Sequence, residues 1–183
     1  PMRLALLAGL LAFQDAPAEL FNGKDLSGWV KVNGGDWAVE NGSLVLTGTG
    51  GNGWLRSEKM YKDFEVSFEW KTDLEKYDSG FYIRALDRGT PWPKVGIQVN
   101  LLTGREGEGV GLKDAKAKPD LIKKGEWNLF VIRAQGRAVS LKANGQEVWA
   151  SEDPTPREGH FGFQAEGKRV EFRNVKVTPL PSE

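Results

Sequence analysis

Two nearby segments of the chain carry polar side chains at alternate positions. The segments span residues 80–85 and 95–101, and their polar residues are Tyr82, Arg84, Gln98 and Asn100. Successive strand residues point to opposite faces, so these four side chains should share one solvent-facing surface. A guanidinium, two amides and a phenol on rigid strands offer fixed donors and acceptors, which suits a ligand rich in hydroxyl groups. The alternative is an ordinary polar sheet exterior. The residues expected beneath them, in the core, are Phe81, Ile83, Ile97 and Val99.

Trp92 is the candidate aromatic partner of this polar surface. It lies between Pro91 and Pro93, just before the second segment. Sugars present hydroxyl groups at their edges and apolar C–H faces to aromatic rings, so Trp92 is a candidate stacking platform. Partial packing of its ring in the core is the alternative interpretation. The combination favours a carbohydrate ligand.

The predicted strands carry few candidates for a catalytic acid or base. Glu65 and Glu69 share one strand face, but four strand residues separate them by about 13 Å. Glycosidases need two carboxyl groups about 5–9.5 Å apart, so these two are not a catalytic pair. Each can be a solvated strand carboxylate, although Glu69 could also lie across from Arg84 and orient it. His160 is the only histidine, and a surface or structural role is expected for it.

Short alternating segments separated by turn signals follow one another from Glu19 to the end of the chain. Residues 63–72 (DFEVSFEWKT) alternate cleanly between apolar and polar types. Asn41-Gly42 and Asn144-Gly145 each predict a tight hairpin turn. Only residues 119–124 have the pattern of a short helical turn. The sequence therefore predicts an all-β domain, a sandwich of two antiparallel sheets over residues 19–183.

Composition excludes several classes of function. The 183 residues include 25 Lys and Arg, 25 Asp and Glu, and no Cys. A net charge of zero argues against a nucleic-acid partner. Without cysteine there is no thiolate nucleophile, thiol-ligated zinc site or iron–sulfur cluster. No cofactor is predicted; an oxygen-ligated divalent cation stays open, but no ligand spacing points to one.

The first 18 residues predict a secretory signal peptide. Pro1 precedes Met2 and is set aside as a residue added by cloning. Arg3 supplies a short basic region, residues 4–13 are apolar, and Ala16-Pro17-Ala18 supplies the small residues of a cleavage site. The apolar run is too short for a membrane span of about 20 residues. We therefore expect cleavage near Ala18 and a secreted or periplasmic location; a buried N-terminal segment is the alternative.

One apparent nucleotide-binding motif fails its structural requirement. Residues 48–53 match G-x-G-x-x-G. That motif binds pyrophosphate through the N-terminus of a following helix. Here a predicted strand follows, so the segment is interpreted as a loop between strands.

Beyond these local patterns, the chain resembles the bacterial 3-keto-disaccharide hydrolase domain family over nearly all of residues 19–180. The resemblance rests on an ordered set of blocks rather than on one motif. The blocks are LFNGKDLSGW (20–29), WAVENG (37–42), DFE (63–65), FEW (68–70), SGFYIR (79–84), GEWN (125–128), NG (144–145) and VEFRNV (170–175). It implies a concanavalin A-like jelly roll of the lectin/glucanase type, export, and a sugar-binding concave face.

The activity implied by the resemblance is cleavage of glycosides whose sugar ring carries a 3-keto group. A ketone acidifies the neighbouring C–H, so a base can remove that proton while the glycosidic oxygen leaves. Water can then add back, which gives net hydrolysis. This chemistry needs a base and a group that polarises the ketone.

The sequence departs from the family pattern at two places. The family's strand Glu and the Gln two residues later are Gln98 and Asn100 here. Its C-terminal Gln-Asp-His-Gly is Gln164-Ala165-Glu166-Gly167, while Arg84 is retained. Gln98 cannot act as a base, so Glu166 or Glu69 is the expected base, with Arg84 to bind or polarise a sugar oxygen.

The leading hypothesis is a secreted carbohydrate-active hydrolase that acts on 3-keto-glycosides. Its substrate-binding residues would be Tyr82, Arg84, Gln98, Asn100, Trp92 and Gln164. A non-catalytic, lectin-like module is the alternative, and an interaction domain without a sugar ligand is the third. No membrane span is expected, and the sequence does not indicate an oligomeric state.

Overall fold

The computed structural model describes residues 16–152 and 155–182, which form strands joined by turns and one 3₁₀ helix, Pro119–Leu121. In chain order the strands are β1 (Ala18–Glu19), β2 (Trp29–Val32), β3 (Trp37–Glu40), β4 (Ser43–Leu46), β5 (Gly53–Tyr61), β6 (Phe64–Lys71), β7 (Gly80–Leu86), β8 (Val95–Asn100), β9 (Gly109–Val110), β10 (Asn128–Gln135), β11 (Ala138–Ala143), β12 (Gln146–Glu152), β13 (Gly159–Ala165) and β14 (Val170–Pro179). The apolar run of the predicted signal peptide, residues 4–13, lies outside the described residues.

The described strands form two antiparallel sheets. The eight-stranded sheet has the order β12-β11-β10-β6-β14-β4-β3, with β1 beside β14. The six-stranded sheet has the order β2-β5-β13-β7-β8-β9. This is the predicted all-β sandwich. The G-x-G-x-x-G segment leads into β5, a strand, so no helix N-terminus follows it.

Both predicted Asn-Gly hairpins are confirmed. Asn41 and Gly42 join β3 to β4 with φ of 51° and 78°, and Asn144 and Gly145 join β11 to β12 with φ of 50° and 85°. Two consecutive residues with positive φ make the turn whose twist matches that of the flanking strands. Asn tolerates this conformation better than most residues, and Gly adopts it freely.

The core is a layer of aromatic rings between the sheets. In β6, buried residues alternate with partly exposed ones, as the sequence predicted. Phe68 of this strand contacts Phe81 of the six-stranded sheet, with ring centroids 4.5 Å apart, and also packs near Phe130, Phe163 and Phe172. The predicted core residues Phe81, Ile83, Ile97 and Val99 are buried in this layer. The side chains at the intervening positions of these strands therefore face away from the core.

Arg84 is an exception to this alternation, and the expectation that it shares a surface with Gln98 is wrong. The pairing of β7 with β8 shifts register between Ile83 and Leu86, and Arg84 has a φ of 49°. A bulge of this kind turns the side chain away from the direction that strict alternation predicts. Arg84 is 0% exposed.

The Arg84 guanidinium joins β7 to the turn that connects β5 to β6 and to the turn between β10 and β11. Nε and Nη2 donate to the carbonyl oxygen of Lys62, at 3.0 and 2.8 Å, and Nη1 donates to that of Gly136 at 2.9 Å. Nη2 also lies 3.3 Å from Oδ1 of the buried Asp63. Each bond is made inside the protein, so Arg84 holds the sheets together and is not available to a sugar.

Arg84→Ala should reduce the free energy of unfolding by about 3–5 kcal/mol, because it leaves the Asp63 carboxylate buried without its cation. The matched control is Arg133→Ala. The ion pair of Arg133 with Glu65 is half-exposed at 3.7 Å, so its loss should cost about 0–1 kcal/mol. Equilibrium unfolding in urea measures both. Equal stabilities for Arg84→Ala and Arg133→Ala would contradict the structural role of Arg84.

Candidate functional site

The candidate site lies on the outer face of the six-stranded sheet, at the end where β7 begins and β8 and β13 end. In the strand registers, Tyr82 lies opposite Gln98, and Trp54 lies opposite Gln164. These strands are neighbours in the order β5-β13-β7-β8. Side chains distant in sequence are therefore brought together on one surface.

A chain of amides crosses this surface to a carboxyl group. Nε2 of Gln98 donates to Oε1 of Gln164 at 2.6 Å, and Nε2 of Gln164 donates to Oε2 of Glu166 at 2.9 Å. Gly80 makes room for it, since a Cβ at that position would lie 2.3 Å from Nε2 of Gln98. The amides hold Glu166 in a fixed orientation because each is itself held by its neighbour.

Glu166 is hydrogen-bonded to a second carboxyl group, that of Asp78. Burial raises the pKa of Glu166 to about 7, and the charge of Asp78 and the hydrogen bond between the two add to that rise. Burial also raises the pKa of Asp78, although the hydrogen bond from Glu166 and the charge of Arg105 oppose this. We call Asp78 and Glu166 the carboxyl pair.

Glu166 of the carboxyl pair keeps its proton up to a pH of about 7. Two adjacent carboxylates repel each other when both are ionised, so the second proton is lost only at a raised pH. A group with a pKa near 7 can take up or release a proton at neutral pH, as a general base or acid must. The two groups share a hydrogen bond, whereas glycosidases hold two carboxyl groups about 5–9.5 Å apart. The pair is thus suited to act as one proton-exchanging unit.

Aromatic rings form one side of the site. Tyr82 packs edge-to-face against Trp54, with ring centroids 5.8 Å apart, and the half-buried Trp92 packs against this cluster. Nε1 of Trp92 donates to the carbonyl oxygen of Ala165 at 3.1 Å, which fixes the indole beside the end of β13. Tyr82 is only 5% exposed, so the expectation that it faces solvent is wrong. Trp92 and the carboxyl pair are the more accessible groups.

Asn100 lies at the end of β8 and is also buried. Its Nδ2 donates to Oε2 of Glu108 at 3.4 Å, and Nη2 of Arg105 lies 2.6 Å from the same oxygen. Asn100 therefore anchors the loop that carries Arg105. The positive charge of Arg105 acts to lower the pKa of Asp78. The expectation of a solvent-facing Asn100 is wrong, because the following loop covers it.

Glu69 does not belong to this site. It lies in β6 of the eight-stranded sheet, where its neighbours point into the core and it points outward. Partial burial raises its pKa, but hydrogen bonds from Arg173, at 2.8 Å, and from Asn174 outweigh this and hold the pKa below its ordinary value. Arg84 lies in the six-stranded sheet and donates to Lys62 and Gly136, so Glu69 does not orient it. Glu69 and Glu166 belong to different sheets.

His160 is at the opposite end of β13 from Gln164. Its ring lies 3.1 Å from Nη1 of Arg56, and its Nδ1 lies 2.9 Å from the carbonyl oxygen of Ser57. Burial lowers its pKa, and the charge of Arg56 adds to this effect. These contacts tie β13 to β5 and give His160 the structural role that the sequence predicted.

Asp78 and Arg105 are the site residues that sequence reasoning missed. Both lie in loops, where no strand periodicity marks a functional side chain. Asp78 does stand two residues before β7, directly ahead of the block SGFYIR (79–84). The available signal for Asp78 was its charge just before a strand that carries site residues.

The described ranges contain no group of three or more His, Asp or Glu side chains arranged to hold a metal ion. Within the same ranges, no helix is long and apolar enough to cross a bilayer.

One family model, described as a 3-keto-alpha-glucoside-1,2-lyase-like domain, matches residues 16–178. No curated protein sequence matches this chain.

Solved structures with a similar fold include proteins that act on or bind carbohydrates. A glycosyl hydrolase-like protein of Parabacteroides distasonis ATCC 8503 has a TM-score of 0.75 at 21% identity, covering 91% of this chain and 100% of that one. The carbohydrate-binding module CBM66 of Bacillus subtilis has a TM-score of 0.65 at 18% identity, covering 82% and 95%. The β-glucanase of Bacillus licheniformis has a TM-score of 0.61 at 15% identity, covering 89% and 97%. These likenesses confirm the predicted jelly-roll sandwich of lectin/glucanase type.

Asp78→Asn should lower the pKa of Glu166 from about 7 towards its ordinary value, because the neighbouring negative charge is removed while burial remains. The carboxyl ¹³C resonance of Glu166, followed against pH, measures this. Asp73→Asn, a change of an exposed carboxylate in the preceding loop, is the control and should leave the midpoint unchanged. An unshifted midpoint in Asp78→Asn would show that the two groups are not coupled.

Proposed function

We propose that this chain, which belongs to the 3-keto-alpha-glucoside-1,2-lyase-like domain family, cleaves 3-keto-glycosides with Glu166 as the base. The observation that carries the proposal is the carboxyl pair, which places a group with a pKa of about 7 on the outer face of the six-stranded sheet. The family and the fold support a carbohydrate-active domain. The substrate and the assignment of roles are our proposal.

In the proposed reaction, ionised Glu166 removes the proton from the ring carbon next to the ketone. The electrons of the broken C–H bond form a carbon–carbon double bond, and the bond from the anomeric carbon to the glycosidic oxygen breaks. The leaving oxygen takes a proton, which protonated Glu166 can supply in turn. Addition of water across the double bond then gives the net hydrolysis product.

The neighbouring groups have supporting roles in this proposal. Negative charge develops on the ketone oxygen as the proton leaves, and N–H groups of Gln98 and Gln164 are the nearby donors that could stabilise it. The partly exposed ring of Trp92 offers an apolar surface to the sugar. Asp78 acts through Glu166, because its charge helps to set the pKa of that group.

A non-catalytic, lectin-like function is the second candidate, and Gln98 is the observation that favours it. The resemblance places the family's strand carboxylate at this position, and an amide there keeps hydrogen bonding but loses acid–base capacity. The amide network and Trp92 would then bind a sugar without reaction.

We also propose that the protein is exported, on the pattern of Arg3, the apolar residues 4–13 and the small residues 16–18. N-terminal sequencing of the protein from the exported fraction of its host should find a chain that starts near Glu19. Recovery of only the intact chain from the cytoplasm would refute export.

Glu166→Gln should lower kcat/KM for a 3-keto-glucoside about 10²–10⁴-fold, because the base is lost while the hydrogen-bonding shape is kept. Glu69→Gln, on the other sheet, is the matched control and should keep the wild-type rate. A base must be ionised, so the wild-type kcat/KM should fall as the pH drops below about 7. Release of the aglycone measures these rates.

Two other results would separate the candidate functions. Equal rates for Glu166→Gln and the wild type would show that another group is the base. Binding of the 3-keto-glucoside without turnover by the wild type would favour the lectin-like function.

A further inference from the structure

The dipeptide Asn-Gly occurs five times in this chain, and it is a sequence that can rearrange without an enzyme. The backbone nitrogen of the glycine can attack the Cγ atom of the asparagine, because glycine has no side chain to hinder the approach. In a folded protein this attack requires the side-chain amide and the glycine to move. The five asparagines are Asn22, Asn33, Asn41, Asn52 and Asn144.

Hydrogen bonds hold the side-chain amides of Asn22 and Asn33. Nδ2 of Asn22 donates to Oδ1 of Asp25 at 2.7 Å, and its Oδ1 accepts from the backbone N–H of Lys24 at 2.8 Å. Nδ2 of Asn33 donates to the carbonyl oxygen of Pro91 at 2.7 Å. These bonds must break before either amide can turn towards its glycine.

Asn144 is held more firmly, although its hairpin turn has nearly the same φ values as the turn at Asn41. Its Nδ2 donates to the carbonyl oxygen of Leu121 at 2.8 Å and to Oδ1 of Asn128 at 2.9 Å. Its Oδ1 accepts from the backbone N–H of Leu129 at 2.9 Å. The two Asn-Gly hairpins therefore share a backbone conformation and differ in the freedom of the amide.

At Asn52 the amide is free but the following glycine is not. The side chain is exposed and makes no hydrogen bond within the described ranges. Gly53, however, is buried at the start of β5, and a Cβ placed on it would lie 2.2 Å from the backbone nitrogen of Gly34. The packed glycine leaves its nitrogen no room to swing towards Cγ.

Asn41 and Gly42 combine a free amide with an open glycine. Both residues are exposed, and the Asn41 amide makes no hydrogen bond to any residue that the structure describes. A Cβ placed on Gly42 would meet nothing within 4 Å. None of the other four dipeptides meets both conditions.

We propose that Asn41-Gly42 is a site of spontaneous deamidation and isomerisation. The Gly42 nitrogen forms a bond to Cγ of Asn41, the Cγ–Nδ2 bond breaks, and the side-chain nitrogen leaves as ammonia with the proton of the Gly42 amide. Water then opens the resulting five-membered imide at either carbonyl carbon, which gives aspartate or isoaspartate. The inference goes beyond the proposed catalytic function and does not depend on it.

The two products have different effects on the β3–β4 hairpin. Aspartate keeps the main chain intact and adds a negative charge next to Glu40, which is paired with Arg169 at 2.8 Å. Isoaspartate adds one carbon atom to the main chain of a two-residue turn, whose dihedral angles must match the twist of its strands. Since β3 lies at the edge of its sheet with β4 as its strand neighbour, isoaspartate should loosen this hairpin.

The test is incubation of the folded protein at mildly alkaline pH, followed by digestion and mass spectrometry with fragmentation that assigns each asparagine. Each hydrogen bond on an amide should slow its reaction roughly two-fold to ten-fold, the effect of a bond of ordinary strength. Asn41 should therefore convert faster than Asn33 by about that factor, and faster than Asn144 by more. The Asn41→Asp variant supplies the reference for the aspartate product.

The same protein unfolded in concentrated urea is the control, and there the five sites should convert at comparable rates. Three results would overturn the proposal. They are equal or faster conversion of Asn144 in the folded protein, conversion of Asn41 without any isoaspartate, and the same ranking of sites in urea. The last would show that the local sequence, and not the fold, selects Asn41.

Discussion

Asp78 and Glu166 cannot both be ionised at low cost when their carboxyl groups share a hydrogen bond. This constraint follows from the sheet order. β7 and β13 are hydrogen-bonded neighbours, so Asp78, two residues before β7, and Glu166, directly after β13, meet at one edge. The chemistry proposed for the protein depends on this meeting, because the charge and hydrogen bond of Asp78 add to the burial that raises the pKa of Glu166 to about 7.

The rest of the sandwich maintains that geometry. The aromatic layer around Phe68 fixes which side chains of the six-stranded sheet face outward. Arg84 ties β7 to the β5–β6 connection and to the β10–β11 turn. The Gln98–Gln164 contact then requires a residue without a side chain at position 80. The aromatic core, the hydrogen bonds of Arg84 and the glycine at position 80 together restrict the position of Glu166. A carboxyl group held in this way keeps its position as its charge changes.

Strand periodicity predicted much of the fold and part of the site. Alternation placed Gln98 on the outer face and Phe81 in the core, because every second residue of a regularly paired strand faces the same side of the sheet. The prediction from alternation failed at Arg84, because a bulge breaks the strand pairing there. A bulge leaves no periodic pattern in the sequence. Alternation also could not indicate that loops cover Asn100, or that Asp78 turns towards Glu166. Loop residues have no repeating pattern, and their positions depend on contacts across the whole sandwich.

The central claim is that Glu166 removes the proton next to the ketone. The most direct measurement is cleavage of a 3-keto-glucoside in D₂O, with deuterium at the ring carbon beside the ketone quantified by NMR against an enzyme-free control. The wild type should form a product that carries deuterium at that carbon beyond the control, and Glu166→Gln should lose this incorporation together with cleavage. Cleavage by the wild type without deuterium at that carbon, or equal incorporation by Glu166→Gln, would contradict the account.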